Sequence, residues 1–254
     1  MKKSKIFAVV NQKGGVAKTS SALILGDILA SKGYSCLLVD LDAQSSLTIS
    51  SGIEPEGIPS MYDVLCEDTP IEDIILCGIS DKGEKLCLAP TDITLSVAEL
   101  SISNMMNRDT LLKRKLASVV ESFDYIIIDC SPSLSLLTIN ALVACDSVIV
   151  PSSAEYLSYR GLKLLMDTID RIKANEHNQT LDIKGVIVTL FDSRTLHHRE
   201  VYDLINSKYP VLGCVGISTA VRDAVLQGKS LYTINPKHKI SQQYLNITEA
   251  LLNE

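Results

Sequence analysis

Short apolar runs alternate with longer amphipathic stretches along the chain. The runs, rich in Val, Ile and Leu, predict buried strands at 6–10, 36–39, 86–89, 125–128, 147–150, 186–190 and 211–215. Apolar residues at helical spacing predict helices at 19–32, 110–121, 134–143, 160–173, 198–207 and 241–252. Such alternation is typical of a parallel sheet covered on both faces. We therefore predict an α/β fold, a mostly parallel twisted sheet with helices on both faces, in a single domain over 1–254.

Charge is distributed unevenly along the chain. The net charge of −6 argues against a uniformly basic nucleic-acid-binding protein. From 54 to 99, acidic residues outnumber lysines by 11 to 2, whereas from 184 to 239 lysines and arginines outnumber acids by 8 to 4. These stretches predict either two different partner surfaces or ordinary solvated faces, and counting alone leaves both open. Residues 52–85, rich in Gly, Pro and acids, predict a loop with short helices rather than a second domain.

The cysteines and the N-terminus bear on the compartment. The chain has 7 cysteines, which include no C-x-x-C pair and lie mostly in apolar segments. We therefore predict reduced thiols in a cytosolic protein rather than disulfides or a metal site. The basic residues 1–5 precede only a short apolar run, which predicts a first strand and not a signal peptide. No window approaches the roughly 18 uninterrupted apolar residues that a membrane span needs.

The stretch from Asn11 to Ser20, N-Q-K-G-G-V-A-K-T-S, lies between the first predicted strand and the first predicted helix. In that position the backbone N–H groups of a turn point at a phosphate, Lys18 reaches the β- and γ-phosphates, and the Thr19 hydroxyl binds Mg²⁺. The standard G-x-x-x-x-G-K-[ST] pattern fails here at Gln12 and Ala17. Taken alone, the stretch fits either a phosphate loop or a Gly-Gly turn with unrelated lysines.

Aspartates follow two of the predicted strands. Asp40 and Asp42 end the strand at 36–39, and Asp129 ends the strand at 125–128. A single aspartate in such a position is most often a helix cap or a turn former. Beside a phosphate loop, however, oxygen ligands are needed for Mg²⁺ and a carboxylate is needed to orient water. The three aspartates therefore predict the second half of a nucleotide site.

Several motifs together resemble one family. They are K-G-G-x-x-K-T at 13–19, V-D-L-D-A-Q at 39–44 and I-I-D-C-S-P-S-L at 127–134, followed by further motifs at 146–151 and 189–195. They resemble the deviant Walker A ATPases of the ParA/MinD group, and the likeness spans about 5–250. We identify the chain as similar to ParA/Soj-type partition ATPases. The resemblance implies a deviant P-loop NTPase fold and an enzyme that hydrolyses ATP with Mg²⁺.

The resemblance also implies roles for individual residues. Lys18 neutralises the β- and γ-phosphates, and Lys13 reaches across a nucleotide-sandwich homodimer to the partner's phosphates. Asp42 orients the attacking water, so that Lys13, Lys18 and Asp42 form the catalytic set, and Gly14 joins Lys13 at the dimer contact. The implied Mg²⁺ residues are Thr19, Asp40 and Asp129. The implied ATP-binding residues are Lys13, Gly14, Gly15, Val16, Ala17, Lys18, Thr19 and Ser20.

Ala17 departs from the family, which has a glycine before the lysine. If the position needs a positive φ, alanine costs roughly 1 kcal/mol of strain there. Nucleotide binding should survive, because the phosphate cradle uses backbone N–H groups. We therefore expect an effect on turnover rather than on binding.

The family further implies that the ATP-bound dimer binds double-stranded DNA without sequence preference. A ParB-type partner then stimulates hydrolysis and release, which implies a cytoplasmic, nucleoid-associated protein. Arg194 and Arg222 match the family's DNA-contacting arginines and fall in the basic stretch, although the residues around Arg222 depart from the family. The candidate DNA-binding residues are Arg194, Arg222, Lys229, Lys237 and Lys239. A local pairing of Arg222 with Asp223 or Glu200 is the structural alternative.

Other functions within the superfamily make different demands. A MinD-like membrane-cycling ATPase needs a basic amphipathic C-terminal helix, whereas residues 244–254 are amphipathic but acidic, so we expect no membrane partner. An Fe–S cluster carrier needs paired cysteines that are not recognisable here. A regulator with an N-terminal helix-turn-helix needs residues ahead of the first strand, which is predicted to begin by about residue 5, so we do not expect such a domain. His197 and His198 are expected to begin a solvated helix and not to bind a metal.

Overall fold

The computed structural model describes residues 3–80, 83–174 and 178–253. Its strands are β1 (Lys5–Val9), β2 (Cys36–Leu41), β3 (Leu76–Cys77), β4 (Leu86–Ala89), β5 (Tyr125–Cys130), β6 (Ser147–Ser153), β7 (Asp182–Thr189) and β8 (Val211–Cys214). Its helices are α1 (Lys18–Ser31), α2 (Ser46–Ser50), α3 (Met61–Cys66), α4 (Leu95–Ile102), α5 (Leu111–Leu116), α6 (Leu136–Ala144), α7 (Tyr156–Ala174), α8 (Leu196–Asn206), α9 (Ala220–Val225), α10 (Leu231–Ile234) and α11 (Lys239–Leu252).

The strands form one sheet in the order β3-β4-β2-β5-β1-β6-β7-β8. Every neighbouring pair is parallel except β3 and β4, which are antiparallel. Because β1, β2 and β5 are adjacent and parallel, their carboxyl ends meet at one edge of the sheet. The register places Asp40 of β2 opposite Asp129 of β5, and Val9 of β1 opposite the same Asp129. The end of β1, where the phosphate loop begins, therefore lies beside both aspartates.

Apolar side chains project from both faces of the sheet, because successive residues of a strand point to opposite sides. Ala8, Val39 and Ile128 belong to a core covered by α3 to α8. Phe7, Leu38 and Ile127 belong to the opposite core, covered by α1 and by α9 to α11. The predicted architecture, a mostly parallel sheet with helices on both faces, is confirmed.

The differences from the predicted elements concern short structure. All of the predicted strands are present, but the helix predicted over 110–121 ends at Leu116 and is preceded by a 3₁₀ turn at Arg108–Thr110. Sequence periodicity assigned no bounds to α2, α3, α4, α9, α10 and β3, because such short elements do not establish a repeat. The segment over 52–85 contains α3 and short 3₁₀ turns, in agreement with the predicted loop with short helices, and also the short strand β3. Asp81 and Lys82 of the acidic stretch, like Met1, Lys2 and Glu254, lie outside the described residues.

The prediction that all cysteines are reduced is wrong for one pair. Cys77 and Cys87 face each other across the antiparallel β3–β4 pair and form a disulfide over a sequence separation of 10. Strand register brings them together, and their spacing in the sequence carries no such signal. Cys36, Cys66, Cys130, Cys145 and Cys214 are free thiols. Burial raises the pKa of the thiols of Cys36, Cys130 and Cys145, so these three are poor nucleophiles.

The helices that the structure describes include none that is both long and apolar enough to cross a bilayer.

Candidate nucleotide-binding site

The loop between β1 and α1 is held from both sides. Asn11 donates from Nδ2 to the Pro151 carbonyl over 2.7 Å and accepts at Oδ1 from the Lys13 backbone N–H over 2.9 Å. On the other side, the Thr189 hydroxyl donates to the Val16 carbonyl over 3.0 Å. The loop is therefore fixed to β6 and β7. A turn fixed in this way presents its N–H groups in one arrangement, which is what a phosphate cradle needs.

Ala17 lies in the left-handed region, with φ 65° and ψ 35°, immediately before α1. Position 17 therefore has the positive φ that favours glycine, and alanine carries about 1 kcal/mol of strain there that glycine would avoid. No side chain caps the start of α1. The first N–H groups of the helix thus keep their capacity to bind an anion.

Lys18 is buried at the start of α1, with only 7% of its surface exposed. Its Nζ donates to the Lys13 carbonyl over 3.3 Å. Burial lowers the pKa of Lys18, and the nearby carboxylates of Asp129 and Asp42 oppose that shift. A buried cation with one weak hydrogen bond gains from an added anion, so the position fits a phosphate contact.

Asp129 is fully buried at the end of β5 and is only half satisfied. Its Oδ2 accepts from the Thr19 hydroxyl over 2.7 Å, whereas its Oδ1 is buried without a hydrogen-bond partner among the described residues. Burial raises the pKa of Asp129 well above its usual range, and Asp40 adds to the shift. An orphaned oxygen beside a threonine hydroxyl fits a hard divalent cation such as Mg²⁺.

Magnesium in nucleotide sites usually takes one or two protein oxygens, while phosphate and water supply the others. The described residues contain no group of three or more His, Cys, Asp or Glu that would hold a metal by itself. Thr19 and Asp129 match the smaller protein contribution. They would hold the ion where Lys18 and the loop N–H groups hold the phosphates.

Asp40 is also fully buried, but its oxygens are engaged. Oδ2 accepts from the backbone N–H and the hydroxyl of Thr48, over 2.9 and 2.8 Å, and Oδ1 accepts from the Asp42 N–H over 3.1 Å. Burial raises the pKa of Asp40 to about 6, and the hydrogen bonds from Thr48 and Asp42 oppose the shift. Asp40 therefore fixes the turn that carries Asp42, and its contact with Mg²⁺ stays a prediction. Thr48 has no motif of its own and was not foreseen.

Lys13 is folded onto its own chain. Its Nζ forms an ion pair with Glu155 and lies 3.4 Å from the Ser153 hydroxyl. This pairing lowers the pKa of Glu155. A Cβ placed on Gly14 would meet no atom within 4 Å, so the tip of the loop is open to an approaching surface. The implied contact of Lys13 and Gly14 with a second protomer stays a prediction, and it requires Lys13 to leave Glu155.

A cavity of about 350 Å³ adjoins the phosphate loop and was not foreseen from the sequence. Its wall includes Gly15, Ala17, Leu190, Arg222 and Tyr244. Leu190 has φ 54°, an unfavourable conformation for a bulky residue, and the residues on either side of it are anchored to the phosphate loop and to Val215. The cavity continues from the phosphate cradle and has an apolar wall, so it fits the base of a nucleotide.

The candidate DNA-binding residues are all exposed: Arg194, Arg222, Lys229, Lys237 and Lys239. Arg194 pairs in bidentate fashion with Asp192, over 3.0 and 2.9 Å, and this pair lowers the pKa of Asp192 to about 2. His198 accepts the Asp192 N–H over 3.0 Å, which gives it a structural contact. Arg194 and Lys239 line a groove of about 830 Å³, whose wall at 216–217 and 240 is shared with the cavity beside the phosphate loop.

Comparison with known proteins gives consistent matches. A family model described as an AAA domain matches residues 4–183, which include the phosphate loop, Asp40, Asp42 and Asp129 but none of the candidate DNA-binding residues. The sporulation initiation inhibitor protein Soj of Bacillus subtilis is 36% identical over 249 residues, covering 96% of this chain and 97% of its own.

Two solved structures match over nearly their full length. A structure from Mycobacterium smegmatis, described as cobyrinic acid a,c-diamide synthase with a bound ATP analogue and magnesium, is 35% identical with a TM-score of 0.82 and covers 98% of this chain and 95% of its own. A putative plasmid partition protein of Borrelia burgdorferi bound to AMPPNP is 29% identical, also with a TM-score of 0.82, and covers 99% of both chains. The likeness therefore spans both faces of the sheet.

Proposed function

The chain belongs to the ParA/Soj family of P-loop partition ATPases, and we propose that its ATP-bound homodimer binds double-stranded DNA without sequence preference. It is an ATPase that uses ATP and Mg²⁺. In this proposal a ParB-type partner stimulates hydrolysis and so releases the DNA. The main observation in support of this proposal is that the groove lined by Arg194 and Lys239 shares a wall with the cavity beside the phosphate loop.

The ATP site divides the chemistry among few groups. The loop N–H groups and Lys18 bind the phosphates, while Thr19 and Asp129 hold Mg²⁺, which supplies electrostatic stabilisation of the transferred phosphoryl group. Asp42, on the turn fixed by Asp40, orients the attacking water. The roles of Asp129 and Lys18 are supported by the orphaned oxygen of Asp129 and by the burial of Lys18.

Dimerisation gives Lys13 its role. Lys13 and the open Gly14 lie at the tip of the loop, so a second protomer approaching this edge would receive Lys13 at its phosphates. Such a contact in trans stabilises charge that develops during phosphoryl transfer. Two copies of the surface that carries Arg194, Arg222 and Lys239, here called the basic surface, would then act on one DNA, which raises avidity without any new contact.

The candidate DNA residues act by charge and not by shape. Arg194 and Lys239 line the groove, and Arg222 lines the cavity that shares a wall with it. Lys229 and Lys237 are exposed and lie near them in sequence. Each would neutralise a backbone phosphate, so binding should weaken steeply with salt. The proposed DNA contact places the protein on the nucleoid, in the cytoplasm.

The alternative of a MinD-like membrane cycle finds less support. An interfacial helix must expose its apolar face to the lipid. In α11, Ile240, Tyr244, Ile247 and Leu251 are buried in the core that also contains α1. The apolar face of the last described helix is thus occupied, and we retain 1–254 as one proposed ATPase domain without a membrane partner.

Binding of random-sequence duplex DNA tests the proposal. Fluorescence anisotropy at low salt should show tight binding with ATP and Mg²⁺ and weak binding with ADP. Arg222→Glu should weaken binding by about tenfold or more and reduce the salt slope by about two per dimer, while light scattering still detects ATP-dependent dimers. Arg114→Glu, an equal charge change at an exposed position of α5, is the control and should bind as the wild type does. Equal DNA affinity with ATP and ADP in the wild type would overturn the proposal.

A further inference from the structure

Two glycines from distant parts of the chain meet backbone to backbone. Gly52 follows α2 and Gly228 follows α9. A Cβ placed on Gly228 would lie 2.5 Å from the Gly52 Cα, and one placed on Gly52 would lie 2.9 Å from the Gly228 carbonyl oxygen. Both residues also have positive φ, 81° and 61°. Since backbone atoms form both sides of the contact, no side-chain rotation would make room for a methyl group.

On one side, this contact belongs to the segment that carries Asp42. The turn from Asp42 leads into α2, whose Thr48 is bound through both its N–H and its hydroxyl to buried Asp40. Beyond α2, the Gly52 N–H donates to the Ile49 carbonyl over 3.0 Å. The segment from 42 to 52 is therefore fixed at one end by the acidic edge of the ATP site and at the other by Gly228.

On the other side, the contact belongs to the helix that carries Arg222. The Gly228 N–H donates to the Val225 carbonyl over 2.9 Å, and the Lys229 N–H donates to the Ala224 carbonyl over 3.2 Å. These bonds make Gly228 the left-handed cap that closes the C-terminal end of α9. A displacement of Gly228 must therefore displace α9, and with it the side chain of Arg222.

A third surface guides the two segments. Ser50 of α2 and Val221 and Val225 of α9 surround a small hollow over Leu23 and Ile24 of α1. Both helices thus rest on the helix that begins at the phosphate loop, with little free volume between them. In such close packing a small shift of one segment is passed to its neighbour rather than absorbed.

We propose that the Gly52–Gly228 contact couples the Asp42 segment of the ATP site to the DNA-binding helix α9, which makes both glycines positioning residues for nucleotide-dependent DNA binding. The inference rests on the proposed function. When the γ-phosphate is bound beside the turn that carries Asp42, the backbone of the 42–52 segment is restricted to one position, while the Asp42 side chain itself is needed only for hydrolysis. The glycine contact then selects the position of Arg222 that binds DNA, and by linkage DNA strengthens ATP binding by the same factor.

The test uses Gly52→Ala and Gly228→Ala with a matched control, Gly57→Ala. Gly57 also has a positive φ, 76°, but a Cβ there would meet no atom within 4 Å. It therefore reports the cost of backbone strain without the contact. The ratio of DNA affinities in ATP and ADP should fall by about tenfold in the two contact variants and remain at the wild-type value in the control. Affinity for a fluorescent ATP analogue without DNA should match the control in all variants.

The outcomes separate this inference from the proposed function. Folded contact variants that keep the wild-type ratio of DNA affinities overturn the coupling, while wild-type ATP-dependent DNA binding still supports the function. Hydrogen exchange in the wild type gives a readout that needs neither DNA nor a folded variant. ATP should change the exchange of the amides at 49–53 and 226–229, which do not line the cavity beside the phosphate loop, together with those of the phosphate loop. A response confined to the phosphate loop and the wall of its adjoining cavity overturns the inference, even if the alanine variants fail to fold or DNA proves not to be the ligand.

Discussion

The acidic edge of the ATP site and the basic surface beside it use charge in opposite ways. Asp40 and Asp129 are completely buried, and three of their four oxygens accept hydrogen bonds at defined distances. Arg194 has a side chain that is 90% exposed, and its pairing with Asp192 is the kind of surface ion pair that contributes little to stability. The first region works by geometry and is costly to bury. In the proposed function the second binds DNA through the number of charges it presents, which would make binding sensitive to salt.

In the proposed function the nucleotide connects these regions, and the largest expected effect tests that connection. Lys18→Ala should weaken ATP binding roughly a hundredfold, because it removes a charged contact to the phosphates. DNA binding should then be lost although no residue of the basic surface has changed. Asp42→Ala should keep ATP and DNA binding but slow hydrolysis by about a hundredfold or more, which leaves the dimer on DNA. Nucleotide titration, DNA anisotropy and phosphate release measure the three properties.

Lys32→Ala, at the exposed end of α1, is the control and should leave all three properties unchanged. Equal loss of DNA binding in the Lys18 and Asp42 variants would contradict the division of roles between phosphate binding and water orientation.

A smaller effect separates the two regions by pH. The pKa of buried Asp40, about 6 in the folded protein, exceeds its unfolded value of about 3.9. Its contribution to stability is therefore fully present below pH 3.9 and is lost as the pH rises through about 6. Relative to Asp40→Asn, the free energy of unfolding of the nucleotide-free wild type should fall by about 2 kcal/mol from about pH 4 to about pH 7. Urea unfolding of both proteins measures this difference, and a pH-independent difference would contradict the burial argument.

The smallest effect concerns the strained residue of the phosphate loop. Ala17→Gly should raise the free energy of unfolding by about 1 kcal/mol, because glycine adopts a positive φ without strain. ATP affinity should remain within about twofold, since the loop binds through backbone N–H groups. Thermal unfolding and nucleotide titration check the two statements. An alanine-to-glycine change at Ala22, in the regular part of α1, should instead destabilise the protein.

Much of the fold and the core of the site were predictable, because each depended on local pattern. The runs before Asp40 and Asp129 identify strands, and a residue just past a parallel strand must lie at the shared carboxyl edge. Thr48 and Leu190 were not predictable. Thr48 reaches Asp40 only because α2, too short to show a period, turns back over the strand end. Leu190 acquires its positive φ from anchors on the phosphate loop and on the segment after β8.

The sequence by itself determined the layered sheet, the phosphate loop and the strand-end aspartates, since hydrophobic period and motif spacing are properties of neighbouring residues. Tertiary structure alone decided the pairing of Cys77 with Cys87, the ion pair of Lys13 with Glu155, and the contact of Gly52 with Gly228. Each of these joins residues that different elements bring together. Their proximity is fixed by strand register and helix packing, so it leaves no trace in the spacing of either partner.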